Sequence, residues 1–426
     1  MLKYINLQNT VLLVGEQNFK EEMIKSEYKN ITEYLEVLKK YIGTSKSKEI
    51  LDRIGSGFFT KDLSSSAVEN NYPESFRLRS FIDRVITYTE NNISPKKHIN
   101  LLLDLSSLTL GQGELFLASD ILSQILFRTI KHKNLQNEKA YAFLGMGEIS
   151  SMQAKWDESF GYINKAKKIF EETNNYKGLS ACDNFLGTFY AERGILPKAK
   201  KHFEKGIERL KGKRASHLLA NILVNLGILN HMTGDIEEAK SNYEKALTNY
   251  VKNNDLKRIA QTRHNLGMLY FKEGNYKKAI DQFDKSILVS EKDQNYLTLS
   301  ISLLSKAHIY TEMDDINSAI EYIEKAMELS HHMNDRLTIA DIYKVRGIIE
   351  RKKKEYDLAE NYLLTSLRIN SELGNKLNYA ETSVELGKLY KELKQKVKAK
   401  KAFDNALKYY NRINAVIEIE KIKSII

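Results

Sequence analysis

A period of 40 residues, nearly free of slippage, runs through most of this 426-residue chain and limits the fold to a stack of similar units. One column reads Gly147, Gly187, Gly227, Gly267, Ala307, Gly347, Gly387. A second, twelve residues on, reads Ser159, Ala199, Ala239, Ala279, Ala319, Ala359, Ala399. A third runs Ile163, Phe203, Tyr243, Phe283, Ile323, Leu363, Phe403, and a fourth Ala166, Gly206, Ala246, Ser286, Ala326, Ser366, Ala406. Each unit opens at Ala140, Ser180, Ala220, Ala260, Ser300, Ala340 or Ala380. A weaker copy precedes these one residue out of phase, at Ser106, Gly113, Ala118, Leu122 and Ile125.

Within a unit the apolar residues recur at helical spacing, as in Ile222, Leu223, Leu226, Leu229 and then Ile236, Ala239, Tyr243, Ala246, Leu247. Two amphipathic helices follow, separated by Gly194, Gly234, Gly274 or Asp314, residues suited to a helix C-terminus. The small columns are expected where two helix backbones cross closely, and the aromatic and aliphatic column is expected to fill the space between units. One helix pair cannot bury such a face alone, so pairs must stack.

The pattern resembles the tetratricopeptide repeat family. In NLGMLYFKEGNYKKAIDQFDKSI, residues Leu266, Gly267, Tyr270, Ala279, Phe283 and Ser286 fall on the family's signature positions. The resemblance covers residues 99–410 and implies an all-α, right-handed superhelical solenoid of about eight helix pairs. Residues 411–426 are expected to form a capping helix, and residues 1–98 a small helical N-terminal effector or docking domain. The period of 40 exceeds the family's usual 34, which adds roughly 9 Å of helix to each pair. Similar lengthened repeats occur in peptide-pheromone receptors of Gram-positive bacteria and in kinesin light chain. The pattern frays at Lys306 and Arg346, where Leu is usual, and at Lys394 and Lys396 in the last turn.

The resemblance also implies that the first helix of each pair lines a concave groove through its second, fifth, sixth and ninth positions. Those places hold Asn184 and Thr188; Asn221, Asn225 and Ile228; Gln261, His264, Asn265 and Met268; Ile301, Ser305 and His308; Asp341, Lys344 and Ile348. An amide carries both donor and acceptor, so Asn225 and Asn265, one period apart, suit two points of an extended peptide backbone. The competing reading is that Asn only tolerates a wet helix surface. Ile228, Met268 and Ile348 would offer apolar pockets, or else pack against the neighbouring pair.

Other chemistry is poorly served. His264 and His308 come with no HExxH, no CxxC and no His pair at i, i+4 with a carboxylate partner, and His331 and His332 are adjacent, so they point to different sides of a helix. Lone Cys182 excludes an internal disulfide and suits a small buried role in a reducing cytosol. Phosphate loops, dinucleotide turns and nucleophile elbows are absent. Neither an enzyme nor a cofactor is expected. The segment MLKYINLQNTVLLVGEQNFKEE has no basic n-region or long apolar core, so neither export nor a membrane span is expected and the cytoplasm is the expected location.

Net charge is +11, and residues 340–426 carry 19 Lys and Arg against 12 Asp and Glu. This favours an anionic partner or simply a solvated basic end. Lys352, Lys353 and Lys354, with Lys394, Lys396, Lys398, Lys400 and Lys401, are the densest basic runs, and helical spacing spreads the second set around the helix.

The first 98 residues lack the period, and helices are expected at 18–28, 31–42, 46–54 and 74–91. The stretch ITEYLEVLKKYIGTSKSKEILDRIGSG has helix-turn-helix spacing, with a tight turn at Gly43, Thr44 and Ser45 and Ser45 capping the second helix. Lys46, Ser47, Lys48 and Glu49 would then face DNA, with Arg53 on a phosphate. The alternative is a plain helical bundle covering the open end of the solenoid. Together the two halves resemble the cytosolic pheromone receptors of the Rap and PlcR type, which join a helical effector domain to long repeats whose groove takes a short peptide. The expected function is a non-enzymatic, peptide-responsive receptor or adaptor. A general scaffold without DNA binding, or an N-terminal activity gated by the repeats, are the competing classes, and a homodimer stays open.

Overall fold

The computed structural model describes residues 33–47 and 74–426, residues 35, 131, 154 and 414 excepted. These residues form helices and connecting turns. After helical turns at 33–42 and 44–47 come α1 (Glu74–Asn92), α2 (Pro95–Gly111), α3 (Leu115–Thr129), α4 (Gln136–Met152), α5 (Trp156–Glu172) and α6 (Tyr176–Glu192). The series continues with α7 (Leu196–Leu210), α8 (Ser216–Thr233), α9 (Ile236–Lys252), α10 (Leu256–Lys272), α11 (Tyr276–Lys292) and α12 (Tyr296–Glu312). It ends with α13 (Ile316–His332), α14 (Arg336–Lys352), α15 (Tyr356–Glu372), α16 (Lys376–Glu392), α17 (Lys396–Arg412) and α18 (Val416–Ile425). From α2 to α17 these are eight helix pairs, and α18 follows as a single short helix, because α17 continues to Arg412. The chain forms two compact units, Met1–Phe185 and Leu186–Ile426, with the division inside α6.

In the first unit the stretch 33–47 and α1 share one core with the first helix pair. Tyr34 and Leu38 are buried with Phe81, Ile82 and Val85 of α1 and Leu101, Leu102 and Leu105 of α2. Polar contacts fix the same seat: the Tyr34 hydroxyl donates to Gln112 at 2.8 Å and the Tyr41 hydroxyl to Asp104 at 2.7 Å. The helical break narrows to Gly43 at φ 79°, and Thr44 to Ser47 are already helical. Ser45 therefore lies within the helical turn and is not its cap.

In the second unit each periodic glycine makes room for a large side chain of the next helix, Leu363 at 2.6 Å for Gly347 and an aromatic ring for the other four. A Cβ placed on Gly187, Gly227, Gly267 or Gly387 would lie 2.4, 2.7, 2.5 or 2.6 Å from a ring carbon of Phe203, Tyr243, Phe283 or Phe403. Carbon atoms pack at about 3.5–4.0 Å, so only glycine lets the ring sit there. The ring belongs to the second helix of the same pair, sixteen residues on. This corrects two expectations: the glycine makes room chiefly for a side chain and not for a backbone, and the large column locks each pair internally. Where Ala307 replaces glycine, the facing residue is the narrower Ile323.

Turns repeat as faithfully. A left-handed residue stands at Gly194, Gly234, Asn254, Gly274, Gln294, Asp314, Asn334, Lys354, Gly374 and Lys394. Side chains of Asp255, Asn275, Asn295, Asp315, Asp335 and Asn375 then cap the next helix by accepting its third backbone N–H. Lys394 holds φ 58° without being glycine, so the turn is imposed by its flanking helices. The two irregular cations are absorbed: Lys306, 5% exposed, donates to Asp284 at 2.6 Å and to the Tyr322 hydroxyl at 2.8 Å, and Arg346 lies over the Tyr362 ring.

Gly267→Ala should destabilise the protein by about 1–3 kcal/mol through overpacking against Phe283, and Gly267→Leu by more. Adding Phe283→Ile to Gly267→Ala copies the Ala307 and Ile323 pair and should recover part of that loss. Denaturant unfolding of the wild type, Gly267→Ala, Phe283→Ile and the double variant checks this; additive losses would show that ring and glycine are not coupled.

Candidate functional site

The first helices of successive pairs in the second unit, α8, α10, α12, α14 and α16, present one continuous set of half-exposed positions between buried ones. Asn221, Asn225, Gln261, His264, Asn265, Met268, Ile301, Ser305, His308, Asp341 and Lys344 are all intermediate in exposure, and Ile228 is 41% exposed. The helical period explains this, since the flanking residues Ile222, Leu223, Leu226, Thr262, Leu266, Leu303, Ile342 and Val345 are buried in the pair interior. Ile348 is an exception at 3% exposure, so it is core and not a pocket wall. Asn184 belongs to the first unit, where it is half-buried on α6.

Several of these residues are tied to neighbouring elements. Asn221 accepts from the buried Tyr250 hydroxyl at 2.6 Å, which gives it a structural duty. The His264 ring lies 5.4 Å from that of Phe283, and its Nδ1 is 3.1 Å from the Ser302 hydroxyl of the next pair. The Ser305 hydroxyl lies 3.6 Å from the Met268 sulfur. Burial holds the His264 imidazole down to about 4, so it is neutral at pH 7. His231, one turn along α8, is likewise depressed to about 4, by burial first and by the charge of Lys272 second.

Towards the C-terminal pairs the same face becomes a charge network. Lys344 donates to Glu381 at 2.6 Å and lies 3.1 Å from Asp341, which accepts from Asn378 at 3.0 Å. Burial opposes the Lys344 charge, but Glu381 and Asp341 outweigh it and hold its pKa well above the usual lysine value. Burial raises Asp341 despite Lys344, whereas for Glu381 burial is outweighed by Lys344 and its pKa is lowered. Arg351 meets Glu385 at 3.2 Å and Glu392 at 2.5 Å, and Lys388 meets Glu385 at 2.6 Å. His308 lies 3.7 Å from Glu312, and burial lowers its pKa. Glu381, Glu385 and Lys388 occupy the groove columns of the last pair, and extending the period by one more unit would have found them. Lys272 lies one helical turn beyond Met268 and was missed because it falls outside the four columns.

The candidate DNA-contact residues fare differently. Lys46 is exposed, but Ser47 is 0% exposed and its hydroxyl is engaged by the Gly43 carbonyl. Ser47 is thus a packing residue and not a DNA contact. Lys48, Glu49 and Arg53 lie outside the described residues. Among the described residues no helix is long and apolar enough to cross a membrane.

Residues 179–250 and 258–330 match the tetratricopeptide repeat model, so these two stretches are tetratricopeptide repeats. No curated protein matches the sequence. Among solved structures, the chain is similar to the Rap conjugation gene regulator of plasmid pLS20 in complex with the Phr* peptide. The identity is 14% and the TM-score 0.53, over 76% of this chain and 97% of that one. The apo form of the quorum sensor NprR from B. thuringiensis matches at 15% identity and TM-score 0.54, over 88% and 99%. Aspartyl phosphate phosphatase F from Bacillus subtilis matches at 17% and 0.51, over 82% and 93%. At these identities the likeness is one of fold.

Neutral burial of His231 and His264 has a definite sign. Each folded-state pKa lies below the unfolded value near 6.5, so the stabilisation is complete above that pH and is lost as pH falls toward 4. Thermal unfolding should therefore show Tm falling between pH 7 and pH 5, and His231→Gln with His264→Gln should flatten that fall. An unchanged slope would show that these imidazoles are not buried as neutral groups.

Proposed function

We propose that this tetratricopeptide-repeat protein is a non-enzymatic receptor that binds an extended peptide or protein segment along α8, α10, α12 and α14, and thereby regulates a partner. The observation carrying this reading is the half-exposed row of amides, imidazoles and apolar side chains repeated at one period: Asn225 and Ile228, then Gln261, Asn265 and Met268, then Ser305 and His308. Amides serve the backbone of a guest chain in both directions, and the apolar positions between them accept alternate side chains. The fold shared with a regulator captured with the Phr* peptide, and with a quorum sensor, supports the same reading.

One of the similar structures bears a phosphatase name, but at 17% identity the likeness is one of fold. The N-terminal stretch serves best as a docking element. Tyr34 and Leu38 share the core of the first helix pair, and Ser47 is buried, so the bundle reading is favoured over a DNA-reading helix. A cytoplasmic site of action fits the lone buried Cys182.

Pull-down with the full chain, read by mass spectrometry that includes short peptides, identifies the guest. Asn225→Ala with Asn265→Ala should then weaken its binding about tenfold or more while Tm moves little, as expected for two lost hydrogen-bonding partners. A large fall in Tm with unchanged affinity would make these amides structural and overturn the groove assignment.

A further inference from the structure

The C-terminal helix and the turn that leads into it each make one contact with a part of the second unit far away in sequence. α18 sits on the last pair, with Ile422 only 2% exposed among Leu389, Phe403 and Tyr410, and the Ile425 carbonyl accepts from Lys391. In the turn between α17 and α18, the Ile413 Cα comes within 3.9 Å of where a Cβ on Gly194 would stand, in the turn of the unit's first pair. Glu418 Oε1 lies 3.8 Å from Lys272 Nζ at the end of α10. The second unit therefore curls until its end meets its beginning, and α18 closes the gap.

Lys272 differs from the other cations of the groove face. Lys344 is held by Asp341 and Glu381, Lys388 by Glu385, and Arg351 by Glu385 and Glu392, all from the groove helices themselves. The carboxylate on Lys272 comes instead from α18. Lys272 stands one helical turn beyond Met268 on α10, and its charge adds to the lowering of the His231 pKa on α8 and of the Glu381 pKa on α16. Glu381 keeps 42% of its side chain exposed beside Lys344. The Glu418 pair is long and partly exposed, with 44% and 32% of the two side chains accessible, so it is weak and readily exchanged.

We propose that α18 is a displaceable strap, in which Glu418 occupies Lys272 in place of a carboxylate of the bound peptide. Arrival of that carboxylate exchanges the two anions, and the Ile413 to Gly194 closure opens with them. The anionic ligand group extends the groove reading above and rests on it, but the strap is testable without any ligand.

Spin labels on exposed Ile195 and Val416, in a Cys182→Ala background, report the closure as a distance. The otherwise unaltered labelled protein should give one narrow, short distance; Glu418→Lys and Lys272→Glu should each lengthen or broaden it, and the two together should restore it. Unchanged distances in the single variants would overturn the strap. For the exchange, the probe is a random hexapeptide pool prepared once with free and once with amidated C-termini. Glu418→Gln should retain the free-carboxylate pool about two- to five-fold more than the wild type, the span open to an exposed ion pair, with no such gain for the amidated pool. Equal gains for both pools would overturn carboxylate exchange. Retention of neither pool by any form would overturn the groove reading and the exchange together, which the distance measurements distinguish from failure of the strap.

Discussion

A flat ring on a bare backbone sets the geometry of the second unit. Because Phe203, Tyr243, Phe283 and Phe403 press where a Cβ would stand, the two helices of those four pairs cross at one depth and at one place along their length, and Leu363 does the same on Gly347. That fixed crossing decides which residues of the first helix turn inward and which remain half-exposed. The groove columns are thus a consequence of the glycine columns. An aromatic side chain buried in this way contributes about 2–3 kcal/mol from area alone, and the same lock recurs from pair to pair.

Between pairs the bonds are of another kind. The Ser286 hydroxyl of α11 lies 3.0 Å from that of Ser302 on α12, and the Ser366 hydroxyl of α15 lies 3.1 Å from that of Thr382 on α16. Hydroxyls buried in this way replace part of the greasy contact that joins pairs elsewhere. Each such bond contributes modestly and is directional. Stiff pairs joined by lighter polar seams are suited to small changes of curvature, because rearrangement costs less at the seams than inside a pair. The charge network from Lys344 to Arg351 stiffens the C-terminal end of the face, while its centre, around Asn225 and Asn265, is left to amides.

Periodicity made the fold legible: helix pairs, turns and the half-exposed columns all repeat at one spacing, and each repetition tests the register anew. The reason for the glycine column was not legible, since a small residue is required equally by a neighbouring backbone and by a neighbouring ring. Only the alignment of Ala307 with Ile323, both off the commonest choice, hinted at the ring. Individual duties inside a column were also hidden. Asn221 and Asn225 look equivalent in sequence, yet Asn221 accepts from Tyr250, whose hydroxyl is placed by the packing of α9. Ser47 failed as a contact residue because a buried face and a DNA-reading face of a short helical turn have the same polarity pattern when one serine satisfies itself on Gly43.

The approach of α18 to Lys272, and of the turn before it to Gly194, lay furthest from anything a sequence displays. It depends on the summed rotation of several pairs, so a small error per pair would move the end of the chain by many ångströms. An open stack stabilises itself only through nearest neighbours, and a disturbance at one pair fades over the next. Once the turn before the last helix touches the unit's first turn, that rule no longer holds: a change of curvature at any pair must be absorbed by all of them or must part Ile413 from Gly194. Closure therefore turns a local event in the groove into a movement at the chain's end, and it does so without a rigid wire between them. The weakness of the Glu418 and Lys272 pair is then a requirement and not a defect, since a tightly bound strap would hold the curvature constant and leave the groove nothing to change.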